Sequence, residues 1–150
     1  MKVKLLLSIL SISILGLMAF IKPEKDLKPK PPTDCETLTG INKIICLADA
    51  FKATLSASQL ATVQLSYSLT DAAKWSNLPQ SLSKNRVGIQ FGTLNATQLA
   101  AAKDLLKAIT GTTANEGYAE LNALLAADDY LNGLGGGSGY GAGNYYMAFL

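Results

Sequence analysis

Leu55-Ser56-Ala57-Ser58-Gln59-Leu60-Ala61 is echoed 39 residues later by Leu94-Asn95-Ala96-Thr97-Gln98-Leu99-Ala100. Each copy reads as the start of a helix. Ser56 and Asn95 are residue types whose short side chains accept hydrogen bonds from orphan amides at a helix N-terminus. Gln59 and Gln98 stand three places on, where the side chain reaches back to the capping residue's own amide. The two signals frame a block from Trp75 to Gly92. They do not announce a solenoid, which needs three or more units to bury a continuous core.

Working outward, Ile41, Ile44, Ile45, Ala48, Phe51 and Leu55 recur at helical spacing and predict an amphipathic helix over 41–55. Ser56 or Ser58 then caps a second helix through Leu60, Val63, Gln64 and Tyr67. Residues 66–71 are polar and turn-prone, and Pro79 bars a helix through Trp75-Ser76-Asn77-Leu78. Residues 87–94 carry β-branched and aromatic side chains between glycines and read as a short strand. Asn95 to Ile109 is the clearest helix, with Leu99, Ala102, Leu106 and Ile109 on one face. Gly111 ends it. Thr113 and Glu116 offer a capping box for a fourth helix through Tyr118, Leu121, Leu124, Leu125 and Leu131. Seven glycines in the twelve residues 132–143 predict a flexible loop. Residues 145–150 then read as a strand, apolar and aromatic, with no partner left in the chain.

The expected fold is thus α+β and predominantly helical: about four helices, with short strands near 87–94 and 145–150. Exposed apolar strand edges invite aggregation. The chain is therefore expected to be the N-terminal part of a larger domain, and such a fragment should melt without cooperativity.

The ends differ in character. Met1-Lys2-Val3-Lys4 precedes a 17-residue apolar run, Leu5 to Ile21, the pattern of a secretory signal sequence. Ala19 could end a removed leader, but Leu17 occupies a place that wants a small residue. Residues 1–21 are therefore expected to be a signal sequence or an uncleaved N-terminal membrane anchor. Residues 22–33 hold four Pro and four Lys and read as an extended linker. Residues 34–150 make up the one domain. The expected location is exported: periplasm, cell envelope or extracellular.

The net charge of +2 divides unevenly. Residues 1–33 carry six Lys against Glu24 and Asp26, whereas the remainder has seven Lys or Arg against nine acids. The domain offers no basic patch for phosphates, so nucleic acid is not an expected partner. There is no histidine, which removes the usual acid/base near neutral pH and the commonest metal ligand. Cys35 and Cys46 are the only cysteines. In an exported chain an even pair suggests a disulfide; two independent thiols are the alternative. Without histidine they do not suggest a metal site.

Ligand-binding candidates are few. Trp75 and Arg86 flank the most distinctive segment, with Arg86 suited to a carboxylate or phosphate. The plainer alternative is a Trp packed under a loop and an Arg bonded to backbone carbonyls or Asp71. Tyr145 and Tyr146, with Tyr130 and Tyr140, surround the glycine run, a composition suited to carbohydrate or peptide surfaces, with core or strand packing as the plainer and favoured reading. Asp128-Asp129 is a weak Ca²⁺ signal beside its reading as a solvated helix end. Asn95-Ala96-Thr97 matches a glycosylation sequon and is more simply a helix cap. No catalytic motif, phosphate loop or dinucleotide fingerprint is present, and no cofactor is implied.

Several of these features occur in one order. Leu47-Ala48-Asp49-Ala50-Phe51 leads to Leu55-Ser56 and Gln59. Trp75-Ser76-Asn77-Leu78-Pro79, Arg86-Val87-Gly88-Ile89, Leu94 with Gln98, Leu105-Leu106, Gly117-Tyr118, Tyr145-Tyr146 and Phe149 follow. The series resembles a bacterial exported family, domain of unknown function thirty-five hundred, over roughly Leu47 to Leu150. The resemblance implies a continuation after the paired tyrosines to a Trp and a Gly-His-His motif, and it marks the glycine run as an insertion. It carries no agreed activity. Two functions are expected: a binding or structural module, or the N-terminal half of an enzyme whose catalytic residues, a His pair among them, lie beyond Leu150.

Overall fold

The computed structural model describes residues 34–150. The expected signal sequence or anchor (1–21) and the linker (22–33) lie outside the described residues. The described chain opens with a tight turn, in which the Leu38 amide donates to Cys35 O at 3.3 Å. Helix α1 follows over Gly40–Ala53. Cys35 and Cys46 are bonded to each other with their Cα atoms 5.7 Å apart, both buried. The bridge holds the opening turn against α1, so the pair is not two independent thiols.

The two echoed segments do start helices: α2 over Ala57–Val63 and, further along, α4 over Ala96–Thr110. Both capping boxes are complete. Ser56 Oγ accepts from the Gln59 amide (3.3 Å), and Gln59 Oε1 accepts from the Ser56 amide (3.0 Å). Asn95 Oδ1 accepts from the Gln98 amide (2.9 Å), and Gln98 Oε1 accepts from the Asn95 amide (3.0 Å). The two boxes also meet in space. Gln98 Nε2 donates to Gln59 Oε1 at 2.9 Å, Gln59 Nε2 donates back to Gln98 Oε1 at 3.3 Å, and Gln98 Nε2 reaches Thr54 O at 3.0 Å. Gln98 is 6% exposed, and a buried amide is tolerated only when its donors and acceptors are matched in this way.

Helix α2 is shorter than its sequence pattern. It stops at Val63 because Gln64 turns extended and pairs with Phe149. The Phe149 amide donates to Val63 O (2.7 Å) and the Leu65 amide to Phe149 O (2.9 Å). A one-turn helix α3, Leu69–Ala72, follows. The turn-prone reading of 66–71 missed it, and Ser68 makes it possible by capping the Asp71 amide at 3.1 Å.

Strand β1 is only Ile89–Gln90, and Phe91–Thr93 curls into a 3-10 turn where a longer strand was expected. It pairs antiparallel with β2, Tyr146–Met147, in the register Ile89↔Met147 and Gln90↔Tyr146. The expectation of a partnerless final strand is therefore corrected: residues 145–149 are paired on both sides, to β1 and to Gln64. Gly88 permits the approach. Its φ is +97°, and a Cβ there would collide with the Met147 carbonyl.

One core joins these elements. Phe51 of α1, Val63 of α2, Ile89 of β1 and Ala102 of α4 form it, with Leu55, Leu94, Ala101, Met147 and Phe149 packed around. The Phe51 and Phe149 rings lie 6.3 Å apart, tilted by 46°. The buried face of α4 runs through Gln98, Ala102 and Leu105. Ile109, expected on that face, is 54% exposed. Helix α4 stops at Gly111 (φ +81°).

Helix α5, Tyr118–Leu131, starts at Gly117 without a side-chain cap. The expected Thr113/Glu116 capping box does not form; the Glu116 amide instead closes a turn on Thr113 O (3.2 Å). After α5 the glycine run is tied down rather than loose. Residues Asn132–Gly136 prolong the helix as a wider turn. The Ala142 amide donates to Asp129 Oδ1 (2.7 Å), and Asn144 Nδ2 donates to Ser138 O and Tyr140 O (both 2.9 Å). Gln90 Nε2 donates to Asn144 Oδ1 (2.8 Å). The polar side chains at the borders of the run supply order that its glycines lack. Among the described residues the architecture is α+β and mainly helical, with five α-helices and one two-stranded sheet. None of these helices is long and apolar enough to cross a membrane.

Candidate functional site

A cleft of about 750 Å³ opens between the irregular segment 71–87, the adjoining faces of α4 and α5, and the segment that ends in β2. Its apolar wall includes Leu106 of α4 and Leu121 and Leu124 of α5. All four residues singled out in the sequence, Trp75, Arg86, Tyr145 and Tyr146, line it.

The long segment is held in place locally. Pro79 O accepts from the Leu82 amide (2.9 Å) and the Ser83 amide (3.1 Å), making a turn where the proline stops any helix. The Gln80 amide donates to Gly139 O (3.1 Å), laying the segment across the glycine run. Gln80 Nε2 donates to Tyr146 Oη at 2.9 Å. The Arg86 guanidinium lies over the Tyr146 ring, 5.8 Å from its centroid, where the π-face attracts a cation. Tyr146 is thereby gripped at its hydroxyl and on its ring.

The plainer alternatives for Trp75 and Arg86 are not what the structure shows. Trp75 is 79% exposed and stands at the rim. Asp71 does not pair with Arg86. It accepts from Lys74 Nζ at 2.8 Å and from Ser68 Oγ at 2.9 Å, and these two bonds, Lys74's first, hold its carboxyl below the usual carboxylate range. Arg86 Nε and Nη2 are buried with no hydrogen-bond partner among the described residues, and Gln80 Oε1 is in the same condition. Such groups are rare in folded proteins, and each costs about 1–3 kcal/mol when left unpaired.

Asp128 also lines the cleft. Burial, followed by the Asp128 charge and hydrogen bond, pushes the Tyr145 phenol above its ordinary range, and the Arg86 charge opposes this. With Lys74 and Asp71 paired and Asp128 engaged by the Tyr145 hydroxyl, Arg86 is the charge left to meet a ligand. Asp129, next in sequence, is spent on the Ala142 amide. The two acids thus separate, and among the described residues no cluster of three or more His, Cys, Asp or Glu could hold a metal.

Tyr140 also lines the cleft, whereas Tyr130 is 69% exposed outside it. Sequence reasoning missed Gln80, which carries no motif. It also placed Leu106, Leu121 and Leu124 with the core faces of their helices, because periodicity marks an apolar stripe without saying whether another element or an open cleft covers it.

With this geometry established, comparison with known proteins adds one fact. A family model described as Protein of unknown function (DUF3500) matches residues 38–150. The chain belongs to the DUF3500 family. The match takes in all five helices, both strands and the cleft, so the cleft belongs to the DUF3500 domain and not to an appendage. No curated protein and no solved structure matches the chain.

Proposed function

We propose that this DUF3500 chain is an exported or envelope-tethered bacterial binding module, and that the cleft between segment 71–87 and helices α4 and α5 is its small-ligand site. One observation carries the reading: Trp75, Arg86, Tyr145 and Tyr146, from distant parts of the chain, converge on one concave space that joins apolar and polar side chains. The basic start and the apolar run to Ile21 support export, and the Pro/Lys-rich linker suits a tether that holds the domain away from a bilayer. The Cys35–Cys46 bond fits an oxidising compartment. If residues 1–21 are retained, the membrane is a partner through that segment alone.

Trp75 is the only tryptophan and stands at the rim, so its fluorescence reports on the cleft directly. Titration with a panel of small acids, amides and sugars is expected to give a saturable change with at least one class. Leu124→Arg, at an exposed position of the cleft wall, is expected to abolish the response while leaving the circular dichroism spectrum unchanged. A panel without any saturable response, or a response indifferent to Leu124→Arg, rejects the reading.

A further inference from the structure

Resting on the cleft as a ligand site, we infer that its ligand is a small organic monocarboxylate with an apolar or aromatic body, its carboxylate held side-on by Arg86. Nε–H and one Nη2–H of a guanidinium point the same way, as two parallel donors on one edge of the planar fork. These are the two buried Arg86 nitrogens that have no partner; neither is open to solvent, so a ligand reaches them by displacing the groups that cover them. A carboxylate presents two oxygens at the matching spacing and accepts from both at once. The guanidinium is also fixed over Tyr146, so little of its freedom remains to be lost on binding.

Charge and shape narrow the class. Asp71 is neutralised by Lys74 at 2.8 Å, and the remaining acid, Asp128, faces the same cleft as Arg86. One cation beside one anion accommodates a single negative charge and opposes a second, which disfavours phosphate dianions and dicarboxylates. Beyond Arg86 the lining includes the apolar side chains of Leu106, Leu121 and Leu124 and the rings of Trp75 and Tyr146. A body without polar groups leaves nothing unpaired there.

The test uses Trp75 fluorescence of the 150-residue chain with 3-phenylpropionate, its neutral analogue 3-phenylpropionamide, and inorganic phosphate. The acid is expected to bind saturably, the amide roughly 10- to 100-fold more weakly, and phosphate without saturation. Arg86→Gln is expected to bring the affinity for the acid down to that for the amide. Arg86→Lys, which keeps the charge but loses the parallel donors, is expected to recover only part of it. The comparison of acid, amide and phosphate needs no variant and stands even if Arg86 substitutions unfold the chain. Equal binding of acid and amide, or saturable binding of phosphate, overturns the inference but leaves the cleft as a ligand site. Silence from every probe, with the wider panel silent as well, removes both.

Discussion

Gln98 shows what one side chain can do when its sequence role and its tertiary role coincide. In the sequence it is the third helical residue of a capping box. In the fold its oxygen accepts from its own cap amide and from Gln59 Nε2, while its nitrogen donates to Gln59 Oε1 and Thr54 O. Truncating it strands several buried groups at once, so Gln98→Ala is expected to cost about 2–3 kcal/mol in urea unfolding. Gln59 is more exposed, and Gln59→Ala is expected to cost about 1 kcal/mol. Because the two share hydrogen bonds, the double variant is expected to show a coupling of about 1 kcal/mol; strict additivity would mean that the contact between the boxes contributes nothing. The capping residues were legible from spacing alone, since a cap is local chemistry. That the boxes touch was not legible, because nothing in two separate seven-residue segments encodes their distance.

At the scale of elements, pairing between distant segments shortened what local pattern lengthened. The segment from Leu60 to Tyr67 reads as helix, yet Val63 and Leu65 give their backbone groups to Phe149. The segment 87–94 reads as a strand, yet only Ile89 and Gln90 find a partner. The small sheet exists because Gly88 lets the backbone come against Met147. Gly88→Ala must therefore either separate the strands or strain φ, and is expected to cost about 3 kcal/mol and to weaken amide-exchange protection at Phe91 and Phe149. Protection unchanged at those amides would show that the close approach is not what seats β2. The glycine run makes the same point from the other side. Composition marks it as loose, but Asp129, Asn144, Gln80 and Gln90 hold it by bonds that composition does not reveal.

Across the whole molecule, one core links the first described helix to the last residues through Phe51 and Phe149. With α1, α2, β1, α4 and β2 all contributing to it, partial unfolding of any one exposes the rest. The chain is expected to lose far-UV helicity and near-UV tyrosine dichroism in a single coincident thermal transition. Two separated transitions would show that α5 and the glycine run form a unit of their own. The expectation of non-cooperative melting rested in part on a final strand without a partner, and that strand is paired to β1 and to Gln64.

The sequence by itself determined the helix starts at Ser56 and Asn95 with their capping boxes, the presence of one pair of cysteines, the apolar start and the candidate residues Trp75, Arg86, Tyr145 and Tyr146. Each of these follows from periodicity, residue chemistry or composition within a short window. Only the tertiary structure decided that the two boxes interlock, that residues 145–149 pair with segments on either side, and that the four candidates share one cleft in which Arg86 has two buried donors without partners. Those outcomes depend on distances between residues far apart in the chain. Such distances are set by how the common core closes, and no local window of sequence contains them.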